Sequence, residues 1–80
     1  MQPYKNLGSF SWISAFEAGD DYIKIEYIDG AIHLYNNNSV GSTHLTKMKE
    51  LAVSGSGLHS YIIHHVKNMY ETVSDNEEPR

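Results

Sequence analysis

The sequence predicts an α+β domain: a small antiparallel three-stranded sheet followed by two helices packed on one face (β-β-β-α-α). Three observations carry this prediction. Residues Tyr22 to Ile28 alternate in polarity with period two, Asp29-Gly30 follows at a hairpin position, and two later segments space their apolar residues three and four apart. Strands grouped ahead of helices mark an α+β rather than an alternating α/β architecture.

The chain has 80 residues, which is room for one domain and one core. At this size folding buries roughly 60 % of the surface that the unfolded chain exposes, so the fold is marginal without a staple or a partner. Cysteine is absent. That excludes disulfides, thiolate zinc sites and cysteine nucleophiles, and it fits a reducing compartment. Met1 to Gly8 has no apolar run that would make a signal peptide, and no stretch approaches the ~20 apolar residues of a spanning helix. The expectation is therefore a soluble, cytoplasmic protein with no membrane contact. Net charge is −4, and Asp75, Glu77, Glu78 and Arg80 contribute −2 of it. The body is mildly acidic and lacks the basic footprint usual for nucleic-acid binding.

In the first strand, Phe10 to Phe16, the residues Phe10, Trp12, Ser14 and Phe16 share one face, and Ser11, Ile13 and Ala15 share the other. Glu17 to Asp21 then reads as a turn. In the second strand Ile23, Ile25 and Tyr27 take one face, while Lys24 and Glu26 face water. Asp29-Gly30 suits a two-residue type I′ turn. That loop pairs Ile28 with Ala31, Tyr27 with Ile32, Ile25 with Leu34 and Lys24 with Tyr35. It gives an apolar face of Ile25, Tyr27, Ile32 and Leu34, opposite a face of Lys24, Glu26, His33 and Tyr35.

Asn36 to Gly41 is turn-forming in composition, after which Ser42 or Thr43 caps a helix through Ala52 with Leu45, Met48, Leu51 and Ala52 inward. Ser54 to Gly57 connects it to a second helix, Leu58 to about Glu71, that buries Leu58, Tyr61, Ile62, Val66 and Met69. The boundaries read as an N-terminal extension over 1–9, one domain over 10–73 and a disordered tail over 74–80.

Few constellations carry chemistry. His59, His64 and His65 share the second helix, but His59 is out of line with the other two. They read as titrating surface residues, and no metal or other cofactor is called for. Gly55-Ser56-Gly57 lacks the wider frame of a nucleophile elbow, so it reads as a helix connector or as amides open to an anion. Glu17, Asp20 and Asp21 read as a solvated turn. Trp12, Tyr22, Tyr27 and Tyr35 read mainly as core, with Tyr22 and Tyr35 the best placed for exposure and for stacking bases.

The run Tyr22-Ile-Lys-Ile-Glu-Tyr-Ile-Asp-Gly-Ala-Ile-His-Leu-Tyr35, followed by a helix and by Ala52-Val-Ser-Gly-Ser-Gly57, resembles the KTSC domain. That family is named for its occurrence at the C-terminus of some lysyl-tRNA synthetases, and it also occurs as a free-standing bacterial protein. Gly30 matches its turn glycine, Tyr35 the second tyrosine of its Y-x-Y motif, and Ala52 and Ser54 its small-residue segment. His33 stands where the first tyrosine would be, and Gly55 or Gly57 aligns with the segment's glycine.

The resemblance implies a non-catalytic binding module, with RNA as the suggested ligand. The candidate binding residues, read from the hairpin pattern and the connector, are those of the exposed hairpin face, His33 and Tyr35 with Lys24, and the loop of Ser54, Gly55, Ser56 and Gly57. The alternative is a protein-interaction module, such as a mobile-element accessory or inhibitor protein, in which acidic groups meet a basic partner. An open sheet edge also makes a homo-oligomer a reasonable expectation.

Overall fold

The computed structural model describes residues 1–7 and 11–75. It is α+β, with an antiparallel sheet of five strands rather than three and two helices. The strands are β1 (Gln2–Pro3), β2 (Ile13–Ala18), β3 (Tyr22–Tyr27), β4 (Ala31–Asn36) and β5 (Thr72–Asp75), and they lie in the sheet in chain order. The helices are α1 (Asn37–Ser54) and α2 (Leu58–Tyr61), the second continuing as a π-helical turn over Ile62–Val66.

The two additional strands come from segments expected to lie outside the domain. Gln2 and Pro3 pair with Phe16 and Ala15, and the adjoining Tyr4 is buried in the core. Residues 1–9 are therefore no mere extension, although Gly8 and Ser9 lie outside the described residues, as does Phe10. At the other end Thr72–Asp75 pairs with Ala31–Leu34. The expected tail thus begins inside β5, and residues 76–80 lie outside the described residues. In both cases main-chain pairing at an otherwise open sheet edge outweighs a side-chain pattern too short or too polar to be read.

The first strand is shifted toward the C-terminus of its expected range. Register with β3 slips between Ile13 and Ala15. That bulge puts Ile13 and Phe16, three positions apart, both into the core. Strict alternation had set Ile13 and Phe16 on opposite faces. Trp12 faces solvent, 55 % exposed.

The hairpin forms where Asp29-Gly30 places it, but with a different loop. Ile25 pairs with His33, Lys24 with Leu34 and Ile23 with Tyr35, so the loop is Ile28-Asp29-Gly30. The Gly30 N–H donates to the Tyr27 carbonyl at 2.9 Å, Gly30 sits at φ 95°, and the Ala31 N–H donates to Asp29 Oδ1 at 3.0 Å. This is the three-residue loop in which a glycine in the left-handed region follows the turn. A type I′ turn needs positive φ at Asp29, yet Asn6 is the one non-glycine residue there among those described. A one-residue slip turns every side chain of β4 over. His33 and Tyr35 join Ile23, Ile25 and Tyr27 on the inner face, and Ile32 and Leu34 share the outer face with Lys24 and Glu26. Tyr35, expected to be exposed, is 0 % accessible.

The asparagine run, whose composition predicts a turn, forms the start of a helix instead. Asn36 Oδ1 accepts from the Ser39 N–H at 2.9 Å and Ser39 Oγ accepts from the Asn36 N–H at 3.0 Å, a reciprocal cap. Gly41 (φ 84°, ψ 159°) breaks the helix just before the expected start at Ser42. Beyond it Leu45, Met48 and Ala52 are buried as the stripe predicts, with Leu51 partly so. Lys49 Nζ donates to the carbonyls of Gly19 and Asp20 at 2.5 and 2.8 Å, tying α1 to the β2–β3 turn.

The second helix is shorter than expected. Leu58, Ile62 and Val66 are buried at a spacing of four, but helical structure ends at Val66, and Met69 is exposed. The Met69 N–H donates to the Val66 carbonyl at 2.8 Å and the Glu71 N–H to the Leu34 carbonyl at 2.6 Å, which turns the chain into β5. The β-branched pair Thr72-Val73 favours this extended course over more helix. One core joins the inner faces of β2, β3 and β4 to Tyr4, Val40, α1 and the Leu58–Ile62–Val66 stripe.

Candidate functional site

The candidate residues do not assemble into one surface. Lys24 lies on the outer face of the sheet, its Nζ 5.9 Å from the Tyr22 ring centroid. His33 and Tyr35 lie on the inner face. The loop Ser54–Gly57 is occupied by the N-terminal segment. The Leu7 N–H donates to the Gly55 carbonyl at 2.7 Å, and Tyr4 Oη accepts from the Leu58 N–H at 3.1 Å. Gly55 caps α1 in the left-handed region, its N–H donating to Leu51 O at 3.0 Å. Ser54 Oγ donates to the Leu51 carbonyl at 3.0 Å. These contacts are those of a connector, and the Leu58 amide that an anion would use is already engaged.

What the fold does bring together is a cluster of rings at the turn end of the hairpin. The His33 imidazole lies between Tyr27 and Tyr70, with ring centroids 4.8 and 4.7 Å away. His59, delivered by α2, stands edge-on to Tyr27 at 6.2 Å. Trp12, Tyr27, Ile28, Asp29, Ala31, His33 and His59 line an open cleft of about 320 Å³. His59 also lines a neighbouring cavity of about 290 Å³ with Tyr4, Gly57 and Ile63.

Of the residues that line this cleft, the sequence marks His33 as a candidate, though on the opposite face, and Trp12 and Tyr27 among the aromatics that could stack; Asp29 and His59 are not among its candidates. In the sequence Asp29 signals only a turn, and His59 meets the hairpin only through tertiary packing. The one available signal for His59 was its being out of line with His64 and His65.

Burial sets the electrostatics of the cleft. It lowers the pKa of both His33 and His59 below the ordinary 6.5, the nearby Asp29 carboxylate opposing the shift at His33. Burial also raises the Tyr27 phenol. Both imidazoles are therefore neutral at pH 7. Behind the cleft, burial first and then the Tyr27 neighbour push the Tyr35 phenol far above its usual value. Among the described residues Tyr35 Oη and His33 Nδ1 are buried without a hydrogen-bond partner.

A pH dependence follows. The unfolded chain takes up protons at its histidines near pH 6.5, whereas folded His33 and His59 resist protonation until lower pH. Their contribution to stability is thus complete above about pH 6.5 and is lost as pH falls below it toward the folded values. The urea midpoint should be flat between pH 8 and 7 and fall from pH 6.5 to 5, with a shallower fall in His59→Gln. A midpoint that rises on acidification would contradict the burial of these rings.

Two other ring groups lie apart from the cleft. His44 Nδ1 and the Tyr61 hydroxyl share a hydrogen bond of 2.6 Å, and His65 stacks on Tyr61 at 4.4 Å. Glu17 accepts from the Tyr22 hydroxyl at 2.7 Å, and that bond holds its carboxyl below the usual range. Among the described residues no group of three or more His, Cys, Asp or Glu could hold a metal ion, and no helix is long and apolar enough to cross a membrane.

Compared with known proteins, the chain matches no family model, no curated protein and no solved structure. The KTSC resemblance rests on the motif residues alone.

Proposed function

We propose that this protein is a small, non-catalytic, cytoplasmic binding module whose receiving surface is the cleft between the hairpin turn and α2. The observation that carries the reading is the convergence of Trp12, Tyr27, His33 and His59 on one open concavity. Aromatic and imidazole rings at a surface concavity supply large contact area at low entropic cost. Of the two partner classes that the sequence suggests, RNA and protein, the lining favours protein. Among the described residues it contains a carboxylate, Asp29, and neither lysine nor arginine, whereas phosphate neutralisation supplies most non-specific RNA affinity. Lys24, the cation best placed for RNA by sequence, faces away.

The test is capture from a cell lysate on immobilised protein, beside Trp12→Ala, an exposed position whose loss leaves the core intact. The expected result is protein retained by the natural chain, insensitive to ribonuclease and lost with Trp12→Ala. Ribonuclease release of the captured material would turn the reading to RNA. Equal capture by both chains would remove the cleft from consideration.

A further inference from the structure

We infer that the cleft receives a cationic side chain, an arginine presented by a basic segment of a partner protein, with its guanidinium between the aromatic faces and the Asp29 carboxylate. The inference rests on the binding-module reading above and gives it a ligand class. A Trp or Tyr face attracts a cation through the negative charge over its ring, and Trp is the strongest. Trp12 and Tyr27 both line the cleft, and the Trp12 side chain is 55 % exposed.

Asp29 supplies the countercharge. The bond from the Ala31 N–H to its Oδ1 holds the carboxylate in place on the turn, and its field reaches both Tyr27 and His33 within the lining. The uncharged imidazoles of His33 and His59 add ring surface at neutral pH without repelling a cation. Ile28 and Ala31 offer apolar cover for a side-chain stem. A volume of about 320 Å³ sits at the lower end of the ~300–1,000 Å³ typical of small-ligand pockets, a size suited to one side chain. The net charge of −4 favours the approach of a basic partner to the protein as a whole.

The probe is a blocked pentapeptide with one central arginine, titrated at millimolar concentration into the full chain carrying ¹⁵N, beside the same peptide with citrulline, which keeps the shape and loses the charge. Shifts should concentrate at Trp12, Tyr27, Asp29, Ala31, His33 and His59, and the citrulline peptide should bind roughly fivefold or more weakly. Asp29→Asn keeps an oxygen for the Ala31 amide and removes the charge, so it should cost a similar factor with the fold intact. Equal binding of the two peptides, or an unchanged affinity in Asp29→Asn, overturns the inference. A parallel titration with a ten-nucleotide oligouridylate separates the two levels of the argument. If it fills the cleft and arginine does not, the cation fails and the binding surface stands. If neither perturbs the cleft, both fail.

Discussion

Tyr35→Ala should cost about 3–5 kcal/mol of stability, a large part of what a domain this small has, while Tyr35→Phe should raise stability by about 1 kcal/mol. The two substitutions separate the ring from its hydroxyl. The ring is wholly inaccessible and packs among Tyr27, His33 and Tyr70, with centroids 6.4 Å from His33 and 6.3 Å from Tyr70. Truncating it leaves a cavity where strands and helices meet. A chain of this length has roughly 4–12 kcal/mol in all, so the alanine variant has little margin. The hydroxyl has been taken out of water and given no partner, a burden that phenylalanine does not carry. Urea midpoints of the three chains at pH 7.5 make the comparison. A phenylalanine variant weaker than the natural chain would mean that the hydroxyl bonds to something in the folded protein.

Gly55→Ala should destabilise by about 2 kcal/mol, whereas Ser54→Ala and Ser56→Ala should each change stability by less than about 0.5 kcal/mol. Gly55 ends α1 at φ 80°, a conformation that costs any residue with a Cβ. An added Cβ would also stand 2.6 Å from the Lys5 Cβ, so the N-terminal segment would have to lift. That segment is fastened at the same place by the Leu7-to-Gly55 bond and supplies Tyr4 to the core. The glycine's work is therefore to let two pieces of backbone meet. Were this loop a binding element, the serine substitutions would weaken ligand binding and the glycine substitution would leave the urea midpoint in place.

These two positions also show what was legible from sequence and what was not. In β3 the alternation of Ile23, Ile25 and Tyr27 with Lys24 and Glu26 identifies the inner face, because one set is charged. In β4 the same reasoning inverts the faces. Ile32 and Leu34 are apolar, but His33 and Tyr35 can be buried too, and nothing charged marks the outside. The choice falls to the turn, where one more loop residue reverses it. The helical stripes through Leu45, Met48 and Ala52 and through Leu58, Ile62 and Val66 were legible for the opposite reason: lysines, serines and histidines occupy the other faces. A two-residue strand has no period to read, and Thr72 to Asp75 alternates too weakly to separate it from a tail. The cleft was half legible, since its rings could be noted one by one, but their convergence with Asp29 and His59 is a property of the packing.

The sheet runs in chain order, so β1 and β5 form its two edges. The hairpin leaves no long unpaired strand, because β5 lies along β4 and β1 along β2. Among the described residues one edge strand is two residues long and includes Pro3, which has no N–H to offer a neighbouring strand, and the other is four residues long. Among the described residues, edge strands this short offer little backbone for a further strand to extend, which limits growth of the sheet at either side.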